Sequence, residues 1–129
     1  MKTLTLLTAV ALSLLLSIQA HAADKETKKT LYHVVSLKFK PEATPEQIKA
    51  IETAFAELKT KVPGVVTLAG GTDVSPEKKS KGFTHCFVLT FASDKDRDAY
   101  AVHPAHKAFG AMLGPIIADV MVVDFWAQE

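Results

Sequence analysis

Cysteine is almost missing from this chain: Cys86 is the only one in 129 residues. A lone thiol cannot close an internal disulfide, so a cystine-stapled scaffold and a cysteine-rich zinc site are both excluded. Cys86 alternates between His85 and Phe87 and reads as a buried, inert thiol. An excess of one charge is missing too. The 15 Lys and Arg nearly balance the 14 Asp and Glu, so no net field recommends nucleic acid or an anionic membrane surface as a partner. There is no phosphate-cradling glycine loop, because Gly70-Gly71 runs into a polar segment rather than a helix. No repeat or low-complexity tract appears, and Lys78-Lys79-Ser80-Lys81 reads as a solvated hairpin connection. What remains is a balanced chain of 48% hydrophobic residues, enough for one modest core.

The longest apolar run lies at the N-terminus, over residues 4–18, behind Lys2 and ahead of Ala20-His21-Ala22. A charged start, a short apolar stretch and a small-x-small site make a secretory signal peptide over residues 1–22. The run is shorter than the ~20 residues of a spanning helix. Cleavage is expected after Ala22, with no membrane attachment afterwards. Cys86 lies too far from that site to carry a lipid, and the product is expected to be periplasmic or secreted. Residues 23–30 read as a mobile charged lead-in, and residues 31–127 as a single domain.

Within that domain, residues 31–40 alternate as a strand, with Leu31, His33, Val35, Leu37 and Phe39 on one face and Tyr32, Val34, Ser36, Lys38 and Lys40 on the other. Thr44-Pro45-Glu46-Gln47 carries a capping threonine, a proline suited to the first helical position and a capping-box glutamine. It opens a helix striped by Ile48, Ile51, Phe55, Leu58 and Val62 that stops at Pro63-Gly64. Residues 65–74 predict a strand weakened by Gly70-Gly71, and residues 83–91 predict the clearest strand, with Phe83, His85, Phe87, Leu89 and Phe91 on one face. Ser93 opens a second helix that Pro104 interrupts, a further helical piece runs to Gly114-Pro115, and residues 118–126 form the last strand. The order β-α-β-β-α-β puts both helices on one side of a four-stranded antiparallel sheet. The other side would leave Tyr32, Val34, Cys86 and Val88 uncovered, so a homodimer pairing its sheets is expected.

The chemistry concentrates in Tyr100-Ala-Val-His103-Pro-Ala-His106. A phenol and two imidazoles within seven residues supply proton-transfer groups, and imidazole titrates near neutral pH. His33 and His85 point the same way, but antiparallel pairing of their strands sets them at opposite ends of the sheet, on the order of 13 Å or more apart. The second helix starts near His33, which makes His33 the partner of the Tyr100 to His106 segment. His103 precedes a proline and also suits a helix start. The His103-x-x-His106 spacing is compatible with a metal, yet Pro104 breaks its register and no cysteine completes a site, so no metal and no cofactor are expected.

His33-x-Val35-x-x-Lys38-Phe39-Lys40, Gly70-x-x-x-Val74-Ser75-Pro76-Glu77, Gly82-Phe83-Thr84-His85, Tyr100-x-x-His103-Pro104-x-His106 and Asp124, taken in order, resemble the stress-responsive A/B barrel family. The resemblance implies an α+β, ferredoxin-like protomer and a dimeric α+β barrel. It is similar in the same motifs to a plant polyketide cyclase, which implies His106 as catalytic base, Tyr100 as the assisting phenol and His33 facing them. Two functions follow as expectations. One is a module binding a small apolar or carbonyl-containing molecule between sheet and helices, contacted by Phe55, Phe87, Leu89, Phe109 and His103. The other is an acid/base lyase, cyclase or isomerase using His106, Tyr100 and His33.

Overall fold

A computed structural model describes residues 28–127. The expected signal peptide and the first part of the lead-in lie outside the described residues. The strands β1 (Leu31–Phe39), β2 (Thr67–Thr72), β3 (His85–Phe91) and β4 (Ile117–Trp126) form one antiparallel sheet in the order β2-β3-β1-β4. The helices α1 (Pro45–Lys61), α2 (Asp94–Val102) and α3 (Pro104–Leu113) intervene, and a 3-10 turn, Gly114–Ile116, leads into β4. This is the expected ferredoxin-like plan.

Each helix begins where its sequence dictates. Thr44 accepts from the Gln47 N–H, and the Gln47 side chain accepts from the Thr44 N–H, completing a reciprocal capping box on α1. Gly64, at φ +91°, then turns the chain away as only glycine does without strain. Ser93 caps α2 through the Asp96 N–H. Pro104 lacks the N–H that would continue α2, so the helix breaks there and α3 restarts, with His103 Nδ1 accepting from the Ala105 N–H at 3.0 Å.

The core lies between the helices and the inward face of β1 and β3, where Leu31, Val35, Leu37, Phe87, Leu89 and Phe91 are buried against Ile51, Phe55, Leu58, Tyr100 and Phe109. The β2 ladder is shorter than the predicted 65–74, although Val66 still donates to Thr90 and Asp73 to Thr84 beyond its ends. Gly70 has a packing role: a Cβ there would come within 2.2 Å of the Phe87 ring, which stacks on Phe55 with centroids 3.9 Å apart. The third strand begins at His85 rather than at residue 83, and the fourth at Ile117, one residue earlier than predicted.

Two features differ from expectation. Cys86 is exposed, not buried, because strand alternation turns it to the helix-free face, where nothing in the protomer covers it. More broadly, the helices cover β1 and β3 but do not shield β4. Val120, Val122 and Trp126 on its helix side, and Met121, Val123 and Phe125 on the other, are all exposed.

Candidate active site

His33 pairs in register with Leu89 and Leu37 with His85, so the two strand histidines do sit at opposite ends of the β1–β3 ladder. The ends differ in chemistry. His85 is buried and fully partnered: Nε2–H donates to Glu52 Oε1 at 3.0 Å, Nδ1 accepts from the Thr84 hydroxyl at 2.9 Å, and the Phe39 ring packs edge-on. Bonds from His85 and then Lys49 hold the Glu52 carboxyl below its ordinary range. Neither ring nitrogen of His85 is left unpaired.

At the other end, α2 and α3 lay Tyr100 and His106 over the start of β1. Tyr100 is 1% exposed, its ring 5.6 Å from His33, 5.4 Å from Phe91 and 4.5 Å from His106, centroid to centroid. Burial pushes its phenol up to about 12, so at neutral pH it is a proton donor and not a phenolate. Among the described residues its hydroxyl has no hydrogen-bond partner.

The break at Pro104 places His106 correctly. The turn between α2 and α3 brings the Ala101 carbonyl within 3.1 Å of His106 Nδ1. A carbonyl only accepts, so the proton is on Nδ1 and Nε2 keeps its lone pair. Burial lowers the pKa of His106, the Ala101 bond partly opposes this, and the charge of His33 lowers it further. The result is a neutral imidazole with a free basic nitrogen beside a neutral phenol.

His33 Nδ1–H donates to Asp124 Oδ1 at 2.6 Å, across the β1–β4 pairing that sets the two residues opposite each other. Its Nε2 is thereby the nitrogen left for chemistry. Asp124 Oδ2 accepts from Arg97 Nη1 at 2.5 Å, and Arg97 Nε donates to Asp98 at 2.8 Å. Burial alone would push the Asp124 carboxyl up, but the bonds from Arg97 and His33 outweigh it and leave it below its ordinary range.

The structure therefore brings His33, Tyr100 and His106 together and adds Asp124 and Arg97. Asp124 belongs to the sequence motifs quoted above. The one signal in the sequence for Arg97 is its place one helical turn before Tyr100, on the same face of α2. His103 caps α3. Phe55, Phe87, Leu89 and Phe109 are buried together in the core, with Phe109 edge-on to Phe55 at 4.9 Å. Concavities of about 430 and 380 Å³ lie at the His85 end of the sheet, the first beside Thr84, Lys81 and Cys86, the second between Glu52 and Ala56 of α1 and Leu68, Thr72 and Phe87. Among the described residues no group of three or more His, Cys, Asp and Glu side chains is arranged to hold a metal ion.

Known proteins share this arrangement of elements. Residues 31–127 match the Stress responsive A/B Barrel Domain. Olivetolic acid cyclase from Cannabis sativa is 30% identical over 97 residues, covering 75% of this chain and 96% of the cyclase. The structure of hydroxynitrile lyase from Passiflora edulis superposes with a TM-score of 0.73 at 25% identity, covering 79% of this chain and 96% of the lyase. A dimeric ferredoxin-like protein of unknown function from Jannaschia sp. CCS1 gives a TM-score of 0.66 at 31% identity, covering 74% and 97% of the two chains. The chain belongs to the stress responsive A/B barrel family.

Proposed function

We propose that this protein is an exported, homodimeric acid/base enzyme that removes a proton next to a carbonyl of a small, largely apolar molecule. The observation that carries the reading is the state of His106. Its Nδ1–H is committed to the Ala101 carbonyl, its Nε2 is free, and burial keeps it neutral, which is what a general base needs at neutral pH. As the C–H bond breaks, the proton passes to His106 Nε2 and the electron pair moves to the carbonyl oxygen. The Tyr100 hydroxyl donates to that oxygen, where charge develops. The His33 ring packs edge-on to Tyr100 from the sheet, centroids 5.6 Å apart. The resulting enolate can be reprotonated, can attack a second carbonyl, or can expel a leaving group, giving isomerase, cyclase or lyase chemistry. A cyclase and a lyase among the similar proteins support this range without naming the substrate.

The test is exchange of the protons next to the carbonyl of a small apolar ketone, 4-phenylbutan-2-one, in deuterium oxide, followed by proton NMR. Wild-type protein should accelerate exchange over buffer, and His106→Ala should lose that acceleration by about 100-fold or more. Exchange at the buffer rate with wild type, or undiminished in His106→Ala, would end the reading. The concavity of about 380 Å³ between α1 and β2 favours a second role, holding an apolar molecule without turnover. In that case 4-phenylbutan-2-one binds and does not exchange.

The dimer is supported by the uncovered apolar residues of β4 and the helix-free face, and by a similar protein that is dimeric. Export rests on the N-terminal apolar run. Intact-mass analysis from the native host should find a chain starting at Ala23, and an uncleaved chain would contradict export.

A further inference from the structure

Arg97, bonded to Asp124 beside the site, is a charged group that the reaction above does not use. Its guanidinium joins two carboxylates, Asp98 on its own helix and Asp124 on β4. Asp124 in turn divides its two oxygens, Oδ1 to His33 and Oδ2 to Arg97. From these bonds we infer that Arg97 is a positioning residue: it fixes the Asp124 carboxylate so that Asp124 holds the His33 proton on Nδ1 and turns Nε2 toward Tyr100 and His106.

The geometry requires something of this kind. An aspartate side chain has free rotation about its last bond unless both oxygens are engaged. Asp124 stands on an edge strand that the helices do not shield, so a single bond to His33 would leave its plane unset. A guanidinium presents N–H groups in a rigid fork, which matches a carboxylate better than an ammonium does. Arg97 also supplies the balancing charge. The groups facing Asp124 are His33 from β1 and Arg97 from α2, with Asp98 behind the guanidinium, while Tyr100 and His106 face His33 from α2 and α3. Without Arg97 the carboxylate would draw on the His33 proton alone.

The inference rests on the acid/base reading only for its consequence in turnover, and its test needs no substrate. Carbon-13 and nitrogen-15 NMR of the full mature protein would follow the Asp124 carboxyl, the Glu52 carboxyl and the His33 Nδ1–H proton. In Arg97→Gln the Asp124 midpoint should move upward and the His33 Nδ1–H signal should broaden by exchange with water. Glu52, at the far end of the sheet, should not move. Arg97→Lys should return the Asp124 midpoint toward wild type by restoring the charge. An unchanged Asp124 midpoint and an unchanged His33 signal in Arg97→Gln would overturn the inference. So would an equal displacement of Glu52, which would mean that the substitution loosened the whole domain. Failure of ketone exchange in wild type would remove the acid/base reading and leave these signals as they are.

Discussion

At the scale of single residues, the site depends on side chains kept from ionising. Tyr100 is the clearest. Its pKa is raised from 10.0 to about 12 by burial, so the folded state holds the phenolic proton more tightly than the unfolded chain does. A raised pKa contributes stability that is full below the unfolded value and lost as pH climbs through the folded one. Between about pH 10 and 12 the protein should therefore lose on the order of 3 kcal/mol through this group. Thermal melts across that range should show the loss in wild type and a shallower one in Tyr100→Phe, against the lysines common to both. Most of this cluster is legible in the sequence. Tyr100, His106 and His33 stand out because a phenol and imidazoles at turn and strand positions are chemically conspicuous. Arg97 does not, since one arginine in the run Asp94-Lys95-Asp96-Arg97-Asp98 looks like any solvated helix start. The β1–β4 register, which sets Asp124 opposite His33, is what brings the carboxylate bonded to His33 within its reach. Cys86 shows the converse, because alternation fixes which face it lies on but says nothing about whether that face is covered.

At the scale of elements, local signals specify the boundaries where a cap or a missing N–H dictates them. Thr44, Ser93 and His103 all cap as their positions suggest. The His103 cap has a functional meaning, because the break it stabilises is what aims the Ala101 carbonyl at His106. Replacing His103 by Ala should cost about 1 kcal/mol of stability and allow the His106 ring to lose its fixed tautomer, which denaturant titration and nitrogen-15 shifts would measure separately. The ends of β2 carry no such local signal, because its glycines weaken the strand pattern. The structural reason for one of them is the Phe87 ring lying across the strand. Gly70→Ala must push that ring off Phe55 and should destabilise the domain by roughly 1–3 kcal/mol. A urea midpoint equal to wild type would contradict that packing.

At the scale of the whole molecule, one sheet carries two polar ends of different character. The His85–Glu52 pair is closed and satisfied, and the His33–Asp124–Arg97 arrangement leads into a free base. Both make the fold sensitive to acid. The folded pKa values of Glu52, Asp124 and His106 all lie below their ordinary values. Their contributions are therefore present above the unfolded pKa values and lost as pH falls through the folded ones. His106 starts that loss below about pH 6.5 and the carboxylates continue it below about pH 4, so melting temperature should fall in two stages on acidification. His106→Gln should remove the first. The exposed apolar residues of β4 and the helix-free face belong to the same scale. Sedimentation velocity should give twice the protomer mass, and Val123→Asp, which puts a charge on that face, should shift it toward the protomer. Sedimentation as a protomer at all concentrations would contradict the dimer. The central claim is that the fold presents His106 as a neutral base with Nε2 unprotonated. Nitrogen-15 NMR of the intact mature protein at pH 7 reads this directly: the account predicts a neutral His106 with its proton on Nδ1, and an imidazolium or a proton on Nε2 would contradict it.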